Sequence, residues 1–257
     1  MPLYKEGNIL WLVFHEDAIL LTGENAIPCG KLPPCVLAAT DTCVPLADYE
    51  GVPCRAIHLS ERRAAPNCQY ISLRASFERL PKSVYKLAGK ARELLYWNAN
   101  TRYCGSCGSP LEIHSPISKH CPQCGRTFWP QLSTAIIVAV TRGPEILLVQ
   151  SNQFKSDYLG LVAGFVETGE TLEECVRREV MEETNIRIRN IQYFQSQPWP
   201  YPCGLMIGFK AEYESGELIL QRSELNKGGW FRADNLPPIP GKVSLARRLI
   251  DDWLSHH

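Results

Sequence analysis

Three glutamates in one short stretch have the residue type and spacing to bind a metal ion. Glu179, Glu182 and Glu183 stand at positions i, i+3 and i+4, which are neighbours on one side of a helix. Like charges at this spacing repel and lower the stability of a helix. A hard divalent cation such as Mg²⁺ takes oxygen ligands and would offset that repulsion. The alternative interpretation is the solvated face of a glutamate-rich helix.

The surrounding sequence predicts the helix that must position these glutamates. Thr171 followed by Glu174 has the pattern of a capping box, so the helix begins after Thr171 and residues 164–169 form a loop. At about 100° per residue, Glu179 and Glu183 fall in the sector of the apolar residues of the helix. Those apolar residues are Leu172, Cys175, Val176 and Val180. Carboxylates on this core-facing side are better explained as the lining of a cleft, held ionised by metal, than as a solvated face.

The stretch GFVETGETLEECVRREVMEETNI, residues 164–186, resembles the Nudix box, GX5EX7REUXEEXGU, in which U is an apolar residue. Asn185 stands where the family has glycine, and asparagine is the next most tolerant residue for the left-handed conformation that ends a helix. The resemblance implies a hydrolase that cleaves a nucleoside diphosphate linked to another moiety. It also implies that Glu179, Glu182 and Glu183 hold Mg²⁺ or Mn²⁺ and that one of them helps to activate water.

Four of the 11 cysteines form two CxxC pairs, Cys104 with Cys107 and Cys121 with Cys124. The spacing, with a glycine after each pair, is typical of a Cys₄ zinc ribbon with a tight turn at each pair. Four sulfur ligands close a tetrahedral site, so we expect one structural Zn²⁺ per chain. Redox-active dithiols are the alternative. The remaining cysteines have no framework spacing, and we expect them to be reduced thiols.

A segment rich in proline and aromatic residues, SQPWPYPC, occupies residues 196–203. Its prolines restrict the backbone, so the rings of Trp199 and Tyr201 could offer flat surfaces for stacking a base. A proline-rich turn that caps the core is the alternative interpretation. The segment resembles SQPWPFPxS, which follows the Nudix box in bacterial NADH pyrophosphatases. Tyr201 replaces Phe in that pattern, and Gly204 replaces the final Ser.

The resemblance to this subgroup extends to the zinc ribbon and the N-terminal region, and it implies a substrate and further site residues. Members are homodimers that hydrolyse NAD(H), and some remove NAD caps from the 5′ ends of RNA. Substrate contacts are implied at Trp129, Ala163, Phe165, Gln197, Pro198, Trp199, Pro200, Tyr201, Pro202, Cys203, Gly204 and Ala246. The catalytic metal is implied at Ala163, Glu179, Glu182, Glu183 and Glu224.

Three domains are predicted from the order of the motifs and the changes in hydrophobic period. Residues 1–100 are expected to form strands followed by a helix from residue 76, residues 101–130 the zinc ribbon, and residues 131–257 the Nudix domain. Strands are predicted at 35–40, 134–140, 145–150, 158–163, 187–195, 205–213 and 218–220, with a last helix at 244–254. The predicted fold class is α+β: a Nudix α/β/α sandwich preceded by a Cys₄ zinc ribbon and a small N-terminal α+β domain.

The composition is that of a soluble globular protein, with 45% hydrophobic and 21% charged residues and a formal net charge of zero. Zero net charge provides no bulk basic field to attract nucleic acid or a membrane. Neither a bilayer-spanning apolar run nor a signal-peptide pattern is present in the sequence. We therefore expect a cytoplasmic protein without a membrane partner.

The expected function is hydrolysis of the pyrophosphate bond of NAD(H) to NMN(H) and AMP, with NAD-capped RNA as a further substrate. One alternative is a Nudix hydrolase of ADP-ribose, FAD or another dinucleotide, which the proline-aromatic segment disfavours. Another is a zinc-ribbon nucleic-acid-binding protein with an inactive Nudix domain. The intact Glu179, Glu182 and Glu183 and the zero net charge disfavour that alternative.

Overall fold

The computed structural model describes residues 7–152 and 157–256. Packing divides the chain into two units. The first contains Met1–Leu132 together with Trp199–Cys203, and the second contains Ser133–Pro198 and Gly204–His257. The domain boundaries expected at residues 100 and 130 stay predictions. Within the described part of the chain, no helix is long and apolar enough to cross a membrane.

The first unit contains a six-stranded mixed sheet and one long helix. Its elements are β1 (Ile9–His15), β2 (Ala18–Thr22), β3 (Cys29–Gly30), β4 (Thr42–Tyr49), β5 (Val52–His58), β6 (Cys68–Ser72) and α1 (Lys82–Asn100). The strand order is β4-β5-β1-β2-β6, with β3 paired to β1 and β1 parallel to β5. The helix predicted from residue 76 begins later, because Pro81 lacks the N–H that a helix interior needs. A 3-10 turn at Ala75–Glu78 lies upstream of it.

The ribbon forms a small sheet of its own, in the order β7 (Glu112–Ser115), β8 (Ser118–His120) and β9 (Thr127–Phe128). The buried Lys119 attaches this sheet to the end of α1. Its Nζ donates hydrogen bonds to the backbone oxygens of Asn98 at 3.1 Å and Thr101 at 2.6 Å. A cation is favourable there, because the last carbonyls of a helix carry partial negative charge.

The second unit is the predicted α/β/α sandwich. Its elements are β10 (Ser133–Arg142), β11 (Glu145–Ser151), β12 (Val162–Phe165), α2 (Leu172–Thr184), β13 (Arg187–Trp199), β14 (Gly204–Ser215), β15 (Leu225–Arg232) and α3 (Leu245–Leu254). Successive side chains of a strand point to opposite faces. Ile136 and Val138 of β10 therefore pack with α2, whereas Ile137 and Ala139 pack with α3.

The two large sheets share one topology, which the sequence reading did not anticipate. The second sheet has the order β13-β14-β10-β11-β15, with β12 paired to β10 and β10 parallel to β14. This repeats the first sheet strand for strand. Helix α1 packs on β4 and β5 and also touches β1, whereas α3 packs on β10 and β14, which correspond to β1 and β5. Where α2 stands in the second unit, residues 31–41 form neither helix nor strand and carry one acidic residue, Asp41. The first unit is therefore a copy of the topology without the glutamate helix.

Several predicted elements are wrong in position. Residues 35–40 and 218–220 form no strand. The strand expected at 158–163 is instead Val162–Phe165. Leu159 and Leu161 are buried as a strand pattern requires, but Leu159 donates its N–H to the Pro238 oxygen and Gly160 bridges to Val149. An irregular buried segment can thus show the apolar pattern of a strand.

Candidate active site

Helix α2 has the ends that its sequence predicts. Thr171 Oγ1 accepts a hydrogen bond from the Glu174 N–H at 3.3 Å, and Glu174 Oε2 accepts one from the Thr171 N–H at 2.7 Å. At the other end Asn185 adopts the left-handed conformation, with φ 58° and ψ 25°, and donates its N–H to the Met181 oxygen. The capping box and the tolerance of asparagine for this position are both confirmed.

The first glycine of the motif lies directly against a glutamate. Gly164 is in β12, although the sequence predicts a loop there. A Cβ atom on Gly164 would lie 1.9 Å from Glu179 Cδ and 2.0 Å from Glu179 Oε1. Only a residue without a side chain lets the strand and the carboxylate approach this closely.

Arg178 connects the carboxylates of this region. Its Nε and Nη2 donate to the two oxygens of Glu170 at 3.0 and 2.7 Å. Its Nη1 donates to Glu179 Oε1 at 2.9 Å and to Glu182 Oε2 at 3.1 Å, and Nη2 also reaches the Phe165 oxygen at 3.0 Å. The guanidinium lowers the pKa of Glu170 to about 2. Its planar fork holds three carboxylates in fixed orientation.

Two glutamates of α2 are buried, as the helix pattern predicts. Glu179 and Glu183 are 9% and 6% exposed, whereas Glu182 and Glu224 are exposed. Burial, followed by repulsion from Glu179, Glu224 and Glu182, raises the pKa of Glu183 to about 8. Burial also raises the pKa of Glu179, with Arg178 opposing it and Glu182 and Glu224 adding to it. Glu224, from outside the helix, therefore acts electrostatically on both buried carboxylates.

This donor set suits a hard divalent cation. Carboxylate oxygens are the ligands that Mg²⁺ and similar ions prefer, and a cation would remove the electrostatic cost of ionising buried neighbouring acids. Within residues 7–152 and 157–256, these oxygens are not gathered within 4.8 Å of one another, as the cysteine sulfurs are. The fit to a cation rests on donor type, burial and mutual repulsion.

The four CxxC cysteines form a compact sulfur cluster. All four Sγ atoms lie within 4.8 Å of one another. Cys104 and Cys124 Sγ are 3.6 Å apart, and Cys107 and Cys121 Sγ are 3.5 Å apart. These separations are near the roughly 3.8 Å edge of a tetrahedron with zinc–sulfur bonds of about 2.3 Å. They are far longer than a disulfide bond of about 2.05 Å, so the cluster is arranged to bind a metal.

The other residues with predicted substrate contacts lie in different surroundings. The rings of Phe165 and Trp129 are 65% and 60% exposed, and Ala163 is exposed. Ala246 is buried in the first turn of α3. Gln197 is 8% exposed and its Nε2 donates to the Val243 oxygen at 2.7 Å. Its Oε1 is buried without a hydrogen-bond partner among the described residues.

The proline-aromatic segment is partly strand and partly turn. Residues 196–199 continue β13, and only residues 200–203 form the turn. The rings of Trp199 and Tyr201 meet edge to face, with centroids 5.1 Å apart. The Arg74 guanidinium lies 5.1 Å from the Trp199 ring centroid and 4.8 Å from that of Tyr201. The sequence reading missed Arg74, because no local pattern connects it with a segment so far along the chain.

Comparisons with known proteins agree with both units. A model of the NUDIX domain matches residues 130–253. A second model, described as an NADH pyrophosphatase-like rudimentary NUDIX domain, matches residues 9–97. The word rudimentary fits the repeated topology that lacks the glutamate helix.

Individual relatives cover most of the chain. The NAD-capped RNA hydrolase NudC of Pseudomonas fluorescens is 42% identical over 211 residues, covering 82% of this chain and 76% of the relative. That of Chromobacterium violaceum is 37% identical over 241 residues, covering 93% and 89%. A NUDIX hydrolase structure from Nitrosomonas europaea has a TM-score of 0.52 at 18% identity, covers 61% of this chain and 92% of its own, and supports the fold. The chain belongs to the Nudix hydrolases, in the family of the NAD-capped RNA hydrolase NudC.

Proposed function

We propose that the protein hydrolyses the pyrophosphate bond of NAD(H) to NMN(H) and AMP, and that it removes NAD caps from the 5′ ends of RNA. The observation that carries this proposal is the pair of buried carboxylates, Glu179 and Glu183, on α2 of a Nudix domain. Buried carboxylates are costly unless a counterion is present. The relatives named as NAD-capped RNA hydrolases support the choice of substrate.

Glu179, Glu182, Glu183 and Glu224 would hold the catalytic cation, for which we propose Mg²⁺ or Mn²⁺, and the resemblance adds Ala163 to this set. Such a cation neutralises the pyrophosphate and lowers the pKa of a water molecule when it is bound. Glu183 or another glutamate of this set takes the proton of the attacking water, and in-line attack at phosphorus breaks the bond from that phosphorus to the bridging oxygen. Arg178 keeps Glu179 and Glu182 oriented throughout, because it is bonded to both.

The two ends of the substrate need contacts that the carboxylates do not supply. Aromatic rings are the proposed contacts for its bases, namely Phe165, Trp199 and Tyr201, and stacking is worth roughly 1–3 kcal/mol per base. The buried Gln197 Oε1, which has no hydrogen-bond partner in the described part of the chain, offers an acceptor. Trp129, Ala163, Pro198, Pro200, Pro202, Cys203, Gly204 and Ala246 stay predicted contacts.

The sulfur cluster of Cys104, Cys107, Cys121 and Cys124 is proposed to hold one structural Zn²⁺. Four thiolates leave no open position for a substrate or water. The homodimer and the cytoplasmic location implied by the resemblance stay predictions, and light scattering of the purified protein tests the first.

The proposed function is tested with Glu183→Gln, which preserves shape and removes one charge. We expect loss of about 10²-fold or more in turnover of both NADH and NAD-capped RNA, with the fold retained. The assay separates NMN(H), AMP and decapped RNA by chromatography. Glu173→Gln, on the exposed side of the same helix, is the matched control and should retain parental rates.

The outcomes separate the alternatives. Near-parental turnover by folded Glu183→Gln protein would remove α2 from the reaction. Cleavage of ADP-ribose but not of NADH by the parent would replace the proposed substrate. Tight, salt-sensitive RNA binding without turnover would favour the nucleic-acid-binding alternative.

A further inference from the structure

The turn that follows β13 packs with the first unit rather than with the strands it connects. We call Trp199–Cys203, which is the last residue of β13 and the turn after it, the aromatic loop. Its neighbours in sequence belong to the second unit, yet the loop itself groups with the N-terminal unit. The contacts that hold it come from α1 and from Arg74, the residue just before the 3-10 turn that precedes α1.

A pair of tyrosines makes the first of these contacts. Tyr85 lies in the first turn of α1 and is 8% exposed. Its hydroxyl forms a hydrogen bond with the Tyr201 hydroxyl at 3.0 Å. The Tyr85 ring also meets Phe77 edge to face, with centroids 5.2 Å apart. The family segment has Phe at the position of Tyr201 and so lacks this hydroxyl. In this chain the Tyr201 hydroxyl is hydrogen-bonded to a residue of α1.

A glycine one turn further along α1 makes the second contact. Gly89 is inside the helix, where glycine costs about 1 kcal/mol relative to alanine. A Cβ atom there would lie 3.2 Å from Cγ and 3.7 Å from Cβ of Pro200. Glycine thus lets the buried Pro200 rest on the helix backbone. The three consecutive loop residues from Trp199 to Tyr201 are then held by Arg74, Gly89 and Tyr85 in turn.

We propose that α1 is the support that orients the aromatic loop for substrate, with Tyr85 and Gly89 as positioning residues. The inference rests on the proposed function, since it assigns the role of the rings of Trp199 and Tyr201 to base stacking. A ring already oriented binds a base at lower entropic cost.

The glycine contact is tested with Gly89→Ala and Gly89→Leu, using NADH as substrate and saturating Mg²⁺. Alanine favours the helix, so unfolding temperature should not fall, but the new methyl group must displace Pro200. We expect KM for NADH to rise by about threefold to tenfold in Gly89→Ala and further in Gly89→Leu, with kcat within about twofold of the parent. Lys86→Ala, on the exposed side of α1, is the matched control and should leave KM unchanged.

The tyrosine contact is tested with a double-mutant cycle of Tyr85→Phe and Tyr201→Phe. Each single variant leaves one hydroxyl without its partner, whereas the double variant removes both hydroxyls. We expect KM to rise by about threefold to tenfold in each single variant and to rise by no more than that in the double variant, because all three proteins lack the same hydrogen bond. Coupling in the unfolding temperature of the same four proteins provides a readout that does not depend on the substrate.

The possible results point to different conclusions. Parental KM and kcat in Gly89→Leu and both single tyrosine variants would overturn the positioning role and leave the proposed function intact. If kcat falls only in proportion to the fraction of protein that is folded, and KM is unchanged, the contact is purely structural. That result would also overturn the positioning role. Failure of the parent to cleave NADH would instead overturn the proposed function, whatever the variants do.

Discussion

At the scale of single residues, the site depends on one missing side chain as much as on the charged ones. Gly164 allows β12 to approach the Glu179 carboxylate, and Arg178 donates hydrogen bonds to that carboxylate and to those of Glu182 and Glu170. Charge-assisted hydrogen bonds of this kind are strong and directional. The orientation of Glu179 is therefore determined by a backbone and a guanidinium together.

Gly164→Ala is expected to abolish turnover while the protein still folds. The added Cβ would overlap Glu179 Cδ, which lies 1.9 Å from its position, so the carboxylate must move and the proposed metal site is distorted. We expect a loss of about 10²-fold or more in kcat with NADH, measured beside Mg²⁺ binding by calorimetry. Gly241→Ala, where no atom of the described residues lies within 4 Å of the new one, is the control. Parental turnover in Gly164→Ala would contradict the assigned role of Glu179.

At the scale of elements, α2 and α1 differ in how much of their role can be predicted from their own sequences. Helix α2 contains its own start, stop and charged cluster, so its bounds and its buried glutamates follow from local rules. Helix α1 presents Tyr85 and Gly89 to the aromatic loop. Those residues look like ordinary core positions in the sequence, and their role depends on what packs against them.

Glu93 of α1, one helical turn beyond Gly89, makes a pH-dependent contribution to stability. Its Oε1 is buried without a hydrogen-bond partner in the described residues, and burial raises its pKa from 4.5 to about 7. The folded state then binds this proton more tightly than the unfolded state, so stability falls as pH rises from about 4.5 through 7. Glu93→Gln has no such titration. We expect its unfolding temperature to gain roughly 2–4 °C on the parent between pH 5 and pH 8.

The measurement is a pair of thermal unfolding curves at each pH, for the parent and for Glu93→Gln. The informative quantity is how the difference in unfolding temperature between Glu93→Gln and the parent changes with pH. A difference that is the same at every pH reflects only the packing of the amide. A difference that does not vary between pH 5 and pH 8 would show that Glu93 titrates normally.

At the scale of the whole molecule, the same strand order occurs in both units, but only the second unit has the helix with the buried glutamates. The second unit keeps α2 and its glutamates, whereas the first has residues 31–41 in that place. Within the first unit, the ribbon that carries the sulfur cluster is attached to α1, because Lys119 binds carbonyl oxygens at the end of that helix. A metal in that cluster would stabilise the ribbon that carries Lys119, and so the end of the helix that supports the aromatic loop.

Cys121→Ser is expected to lose the proposed zinc and to lower the unfolding temperature by at least about 5 °C. At temperatures where the variant is still folded, its turnover of NADH should stay close to that of the parent, because the cluster has no open coordination position for substrate or water. Metal analysis by mass spectrometry and thermal unfolding provide the two readouts. Cys43→Ser, at an exposed strand position, is the control and should keep one zinc per chain. Absence of zinc from fresh parent protein would reverse the assignment.

The sequence by itself determined the features in which cause and effect lie within a few residues. The ends of α2, the burial of Glu179 and Glu183 and the CxxC pairs depend on capping, helical period and short spacing. The strands expected at 35–40 and 218–220 are wrong, because apolar composition alone does not decide which partner the backbone meets. Ile219, for example, donates its N–H to the Thr184 oxygen at the end of α2 and not to a strand.

Only the tertiary structure decided the features that join distant parts of the chain. The repeated strand order, the stacking of Arg74 on Trp199 and Tyr201, and the resting of Pro200 on Gly89 have no local signature. Each depends on residues separated by many elements, which come together when strand pairing and core burial select one topology. The same tyrosine that is a mild replacement in a sequence motif becomes, in the folded chain, a bond between the aromatic loop and α1.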